Sequence, residues 1–313
     1  MPTQQLTLFP SQPLDPSDIT RRTTLSATLE LFAAHLKREG KSEHTIKAFL
    51  GDMALLAEKY GGEATLGTFT TSVLNEFLHW MEAERGVPCS RKTYARRVTT
   101  LKVYFKWLHS LGALASDPAR ALIQRSGPAP LSDALTPRQI QDCVQTARRM
   151  RRGDEEDYRP EFIFRLLVET GIKKGETASL CLEDIDRSNP QRPVMLIRHK
   201  AHNVYKERRI EFSPELLALY DRYRLQYAPK KEVFTCTTRN LEYILTDIGT
   251  AAGIPFKLSF ENLRWTMAVR DYRAGMDEEA IRDKLGLSRP SWYETSAKIR
   301  QLVEQQLREE GGL

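Results

Sequence analysis

The stretch FIFRLLVETGIKKGETASLCLEDID, residues 162–186, decides how the chain is read. Its first eight residues are nearly all apolar and too long for a turn, so Phe162 to Glu169 reads as a helix buried on most sides. Thr170-Gly171 stops it, because glycine alone takes a left-handed backbone at little cost. Two lysines, Lys173 and Lys174, follow at once and open a polar segment.

Downstream, Val194 to Ile197 has strand character and Arg209 to Phe212 alternates, with the basic run HKAHNVYKER between them. The pair reads as a β-hairpin with a cationic tip carrying Lys200, His202, Lys206, Arg208 and Arg209. Helical periodicity then covers about 214–228, 238–252, 259–274, 277–285 and 290–309. Upstream, Thr136-Pro137 has the form of a helix start, with the cap residue followed by proline at the first helical position. Before it, IQRSGPAPLSDAL (residues 123–135) carries glycine, two prolines and two serines, a linker composition.

Residues 24–112 read as four helices. Leu25, Leu29, Phe32 and Leu36 share one face, and Gly40 ends that helix. Ser42 caps a second, with Ile46, Phe49, Leu50, Met53 and Leu56 inward. A third starts near Ser72 with Val73, Phe77 and Met81 inside. Ser90 opens a fourth, with Tyr94, Val98, Leu101, Phe105 and Leu108 inside and Gly112 as its stop. That fourth helix carries Arg91, Lys92, Arg96, Arg97, Lys102 and Lys106 with no acid between Ser90 and Lys106. A solvated face without a partner is one reading. Phosphate contact is the other, since an acid-free cationic face repels itself until a polyanion neutralises it.

The predicted fold class is mainly α with a small β-sheet. The expected organisation is a disordered tail (1–22), a helical domain (23–122), a linker (123–135) and a mixed domain (136–313). The chain has 313 residues with 47 Lys plus Arg against 41 acids, a net charge of +6. That surplus favours a polyanionic partner. Its 41% hydrophobic content is enough for a core, with no run long enough for a membrane span and no leader-like N-terminus. Four scattered cysteines without a CxxC pair point to reduced thiols in the cytoplasm rather than a metal site or disulfides.

Ordered motifs along this chain resemble the tyrosine recombinases of the phage-integrase and XerC/XerD type, over residues 24–308. The core-binding pattern S-x-x-T-I-x-x-Y/F resembles Ser42, Thr45, Ile46 and Phe49. The pattern T-x-x-R-x-x-x-L-x-x-F-F-x-x-L resembles Thr93, Arg96, Thr100, Leu101, Tyr104, Phe105 and Leu108, and G-x-x-x-x-N-P-A resembles Gly112 through Asp117-Pro118-Ala119. The family's L-L-x-x-T-G-L-R-x-x-E-L-x-x-L-x-x-x-D-I-D resembles Leu166 to Asp186. Its H-x-L-R-H-T box is similar to Glu261-Asn262-Leu263-Arg264-Trp265-Thr266, and its L-G-H to Leu285-Gly286-Leu287.

The resemblance implies a SAM-like core-binding domain and a catalytic-type domain gripping duplex DNA, with no metal or other cofactor. It implies an active site in which two arginines hold a phosphate, a hairpin lysine protonates the leaving oxygen and a tyrosine attacks. Carried over one position at a time, the first arginine becomes Lys173, which keeps the charge but not the planar fork. The hairpin lysine is Lys200 and the second arginine is Arg264. The first histidine is replaced by Glu261 and the second histidine or tryptophan by Leu287. After eight intervening residues, Ser288 to Thr295, the tyrosine position falls on Ser296, while Tyr293 lies three residues early, about 4.5 Å along a helix axis.

Three functions are compatible with these residues. One is a non-catalytic DNA-binding protein using Lys173, Lys174, Lys200, His202, Lys206, Arg208, Arg209 and Arg264 together with the cations of the fourth helix. Another is an active recombinase attacking through Tyr293, or through Ser296 with Glu261 as base. The third is a helical interaction protein that ignores nucleic acid. The C-terminal stripe Ile299, Leu302, Val303 and Leu307 either packs on its own domain or docks on a second protomer or a recombinase partner on DNA. The expected location is the cytoplasm, at the nucleoid.

Overall fold

The structure, a computed structural model, describes residues 14–124, 131–199 and 207–311. The chain divides into two compact units, residues 1–129 and 130–313.

The first unit is built on α1 (Leu25–Arg38), α2 (Glu43–Tyr60), α3 (Thr71–His79) and α4 (Arg91–Ser110). Ser42, Thr70 and Ser90 cap α2, α3 and α4, each side-chain oxygen accepting the N–H three residues on. Helix α3 runs on into one π-helical turn, Trp80–Glu84. Phe32, Leu36, Met53, Leu56, Phe77, Leu101, Tyr104 and Phe105 fill the core. Of the expected disordered tail, residues 1–13 lie outside the described residues. Residues 14–22 do not fit that expectation. Ile19 is buried in the core of this unit, and the Arg21 carbonyl accepts the Gly67 N–H at 2.8 Å. Ile19, with Leu14 packed against the same core, anchors the segment, a signal too short for periodicity to reveal.

The second unit begins with residues 131–135 lying against it. The Leu135 N–H donates to Thr266 at 2.9 Å, and Gln306 donates to the Ala134 and Leu135 carbonyls. This end of the expected linker is therefore tied down, while residues 125–130 lie outside the described set. Thr136 and Gln139 form a reciprocal cap that starts α5 (Pro137–Arg149). A small hairpin follows, β1 (Arg151–Arg152) with β2 (Glu155–Glu156), then α6 (Tyr158–Thr170) and α7 (Lys174–Ser179).

Strands β3 (Ile185–Asp186), β4 (Val194–Ile197) and β5 (Arg208–Glu211) make a three-stranded antiparallel sheet in that order. The chain closes with α8 (Pro214–Tyr227), α9 (Thr238–Ala251), α10 (Phe260–Arg273), α11 (Glu278–Leu285) and α12 (Arg289–Gly311). Helix α6 is the central element, with Phe162, Ile163, Phe164, Leu166 and Leu167 all buried. Phe162 stacks on Tyr223 and Phe234 at centroid distances of 4.9 and 5.4 Å. No helix among the described residues is long and apolar enough to cross a membrane.

Candidate active-site cleft

Two helix ends and one sheet edge frame the candidate site. Helix α6 stops at Gly171, whose backbone is left-handed at φ +60°, and a Cβ there would lie 2.3 Å from the Met267 Cε. Helix α11 stops in the same way at Gly286 (φ +58°), where a Cβ would meet the Arg208 guanidinium at 2.9 Å. Both positions favour glycine for conformation, and at Gly286 the buried Arg208 guanidinium also limits the space. Arg264, projecting from α10, bridges these ends. Its guanidinium donates to the Gly171 carbonyl at 2.5 Å and to the Leu285 carbonyl. Helix C-termini present unpaired carbonyls and partial negative charge, so they suit a cation. Burial nevertheless pulls the Arg264 guanidinium down to about 10, with the Glu176 charge opposing and Arg208 assisting.

A cleft of about 380 Å³ opens beside Arg264. Lys173, Lys174, Glu261, Arg264, Leu287 and Thr295 line it, with Phe260, Trp265, Ala268 and Leu285 supplying carbon surface. Four positions expected from sequence to share a site, Lys173, Glu261, Arg264 and Leu287, thus do meet at one cleft. Lys200, His202 and Lys206 lie outside the described residues.

The nucleophile end departs from both sequence expectations. Helix α12 runs unbroken from Arg289, so Tyr293 keeps the helical offset from Ser296 that its spacing predicts. Tyr293 is 84% exposed and is not among the described cleft-lining residues. Ser296 turns inward: it is buried, donates to the Tyr293 carbonyl at 3.2 Å and accepts from Arg300 at 3.4 Å. The hydroxyl at the cleft belongs to Thr295, which donates to the Ser291 carbonyl at 2.8 Å. Sequence reasoning missed Thr295, although its spacing to Ile299 places it on the inward stripe of α12. Ile299, Leu302 and Val303 of that stripe pack within their own unit against Met267, Val269 and Ile281, while Leu307 is half exposed.

Two expected DNA contacts are instead structural. Arg208 is buried and holds Glu176 through two hydrogen bonds, at 3.0 and 2.8 Å, while its Nε donates to the Lys284 carbonyl at 2.8 Å. Glu176 also accepts the Lys173 backbone N–H at 2.8 Å. Burial pushes its carboxyl up, but the Arg208 bonds and charge and the Lys173 amide outweigh this and hold it below the ordinary glutamate range. This pair fixes the hairpin base, the start of α7 and the end of α11 together. In α4, Arg97 is buried and donates to the Cys89 thiol at 2.9 Å, and Arg96 donates to the Asp52 carboxylate at 2.7 Å and to the Ala48 carbonyl. The cationic face of α4 does have an acid, and it comes from α2.

Arg91, Lys92 and Lys106 are exposed and Lys102 half-buried. Lys174 is exposed and pairs with Glu242 at 2.9 Å, and Arg209 lies 3.5 Å from Asp186 at the surface. Among the described residues no group of three or more His, Cys, Asp or Glu side chains is placed to hold a metal ion.

Comparison with known proteins agrees with this architecture. Residues 29–112 match the model of the phage integrase N-terminal SAM-like domain, and residues 133–295, about half of the chain, match that of the phage integrase family. The chain is similar to tyrosine recombinase XerC of Mycobacterium sp. (strain JLS), 32% identical over 170 residues, covering 52% of this chain and 55% of the relative. It is also similar to tyrosine recombinase XerC of Mycobacterium leprae (strain TN), 32% identical over 163 residues, 51% of this chain and 54% of the relative. The chain thus spans about half the length of the curated relatives it matches.

Among solved structures, XerH site-specific recombinase bound to palindromic difH substrate in a post-cleavage complex aligns with a TM-score of 0.70 at 18% identity, covering 92% of this chain and 84% of that one. A lambda integrase dimer bound to a COC′ core site aligns with a TM-score of 0.68 at 14% identity, covering 87% and 77%. These two likenesses concern the fold. With both domain models matched in order, the chain belongs to the phage integrase family of tyrosine recombinases.

Proposed function

We propose that this chain binds duplex DNA through both units and has lost strand cleavage. One observation carries the loss: among the described residues lining the cleft with Lys173 and Arg264, the one that bears a hydroxyl is Thr295, while Tyr293 is exposed and off the cleft lining. An aliphatic hydroxyl needs a base to become a nucleophile. Among the described lining residues there is no imidazole, and the one carboxylate, Glu261, is exposed. Leu287 can neither donate nor accept a proton. An in-line attack tolerates little displacement, so a tyrosine one turn away does not substitute.

Duplex binding is supported by cations that the fold leaves outward. On α4, Arg91, Lys102 and Lys106 fall within about 60° of one another around the axis, given about 100° per residue, with Lys92 beside them. In the second unit Lys174 and Arg209 are exposed and Lys173 is half-buried, Arg264 reaches the cleft from a largely buried position, and Lys200, His202 and Lys206 are assigned by sequence alone. The relatives point the same way: XerH and lambda integrase were solved on DNA, the latter as a dimer and as a tetramer on a Holliday junction. Self-association of this chain on DNA, or assembly with an active recombinase, belongs to the same proposal, as does a cytoplasmic, nucleoid-associated location.

The test is retention of duplex DNA as salt rises, together with a suicide nicked duplex that traps any covalent adduct. The expected result is retention that falls steeply with salt and no adduct. An adduct abolished by Tyr293→Phe establishes the active recombinase instead. Absence of any binding in dilute buffer leaves a helical interaction protein.

A further inference from the structure

The Arg264 cleft differs in character from a surface built only for a phosphate. Its floor and walls carry Phe260, Trp265, Ala268, Leu285 and Leu287, and Trp265 and Leu287 pack on the apolar cluster of α10, α11 and α12. Its volume of about 380 Å³ lies inside the range of small-molecule sites, roughly 300–1,000 Å³. Arg264 is largely withdrawn from water, and its two hydrogen bonds go to carbonyls, which carry no net charge. Among the described residues no carboxylate pairs with it. Glu176, whose charge acts on Arg264, has its oxygens taken up by Arg208 and the Lys173 amide. A desolvated cation held this way is stabilised by an anion brought into the cleft. Lys173 adds to the attraction, Lys174 is paired with Glu242, and Glu261 opposes an incoming anion, weighing more heavily against a dianion than a monoanion.

We propose that this cleft binds a small amphipathic organic anion, an aryl or branched-alkyl carboxylate, with the carboxylate at Arg264 and Lys173 and the carbon body against Phe260, Trp265, Leu285 and Leu287. The inference rests on the reading that the cleft no longer cleaves a phosphodiester. A bound acid occupies the place where a DNA phosphate would meet Arg264, so the acid and duplex DNA compete. The chain thereby becomes a DNA-binding protein whose grip a small molecule loosens.

The test uses the full chain without DNA and follows tryptophan fluorescence, to which Trp265 contributes with three others, during titration with 4-phenylbutyrate. Its neutral amide and inorganic phosphate serve as separate titrants. Saturable quenching by 4-phenylbutyrate is expected, with binding about tenfold weaker or worse for both controls. Trp265→Phe should remove this quenching, and Leu287→Asp should weaken binding by about tenfold while leaving the buried Arg264 bonds intact. Equal binding of acid and amide, unchanged binding by Leu287→Asp, or no saturable quenching overturns the proposal. Tighter binding of inorganic phosphate than of 4-phenylbutyrate also overturns it and leaves a plain phosphate site. A second titration of chain bound to fluorescent duplex should show the acid raising the apparent dissociation constant for DNA. A duplex affinity unmoved by saturating acid overturns the competition. The adduct assay reports on cleavage independently, so the two readings fail separately.

Discussion

Asp52 in the first unit and Glu176 in the second are both withdrawn from water beside arginine, and the two behave in opposite ways. In the first unit Asp52 takes a hydrogen bond from Thr100 at 2.8 Å and one from Arg96 at 2.7 Å, while Arg97 stands off at 3.7 Å. Desolvation dominates there, so the Asp52 carboxyl is held above the ordinary aspartate range despite Thr100 and both arginines. In the second unit Arg208 meets Glu176 with a planar two-point contact, and a backbone N–H adds a third bond. That geometry reverses the effect of burial, and the carboxyl falls below its ordinary range. The number of cations nearby does not decide the outcome. The number of aligned N–H groups does.

The comparison can be broken most directly at Arg208. Arg208→Leu leaves Glu176 buried without its partner and should cost about 3–5 kcal/mol in urea denaturation. A loss under about 1 kcal/mol would show that the pair is not the anchor of the hairpin base. Glu176→Gln keeps the shape and one acceptor oxygen but removes the charge, and should cost about 2 kcal/mol. Asp52→Asn should cost about 1 kcal/mol or less at neutral pH, because the charge removed there is one that burial disfavours.

The pH dependences should differ in sign. Glu176 is depressed in the folded chain, so its contribution is present above the ordinary glutamate value of 4.5 and is lost as pH falls below it. Asp52 is raised, so its contribution is present below the ordinary aspartate value of 3.8 and is lost as pH rises through its folded value. Denaturation midpoints of the Gln and Asn variants against the parent, from acid to neutral pH, read the two slopes separately. The smallest effect on stability, under about 0.5 kcal/mol, is expected for Lys102→Ala with Lys106→Ala. In DNA retention the same double variant should lower the logarithmic salt slope by about 1.8 if both lysines contact phosphate. An unchanged slope would remove α4 from the interface.

Most long elements were legible because their signals are periodic or capped. Ser42, Ser90 and Thr136-Pro137 mark helix starts that the structure reproduces, and Gly40, Gly112 and Gly171 mark stops. The two-residue strands β1, β2 and β3 and the six-residue α7 were not legible, since no period can be read in so few residues. In the site, Lys173, Glu261, Arg264 and Leu287 were found through motif order. Arg208 and Arg97 were misread as DNA contacts from their charge, although their spacing placed them inward. Arg208 shares the buried face of β5 with Ile210, and Arg97 sits between Tyr94 and Leu101 on the inward stripe of α4. Charge was allowed to outvote register, and register was the better guide. Thr295 is not legible from motif order, because the family pattern marks a tyrosine position and carries no signal for a neighbouring threonine that lines the cleft.

Arg264 fastens the end of α6 to the end of α11 with one guanidinium. Fraying at either terminus releases one edge of the guanidinium whose other edge holds the second terminus, so the two openings are coupled through the placement of one side chain. Slow amide exchange at the last turns of α6 and α11 should therefore respond together, and a molecule lodged against Arg264 should slow both.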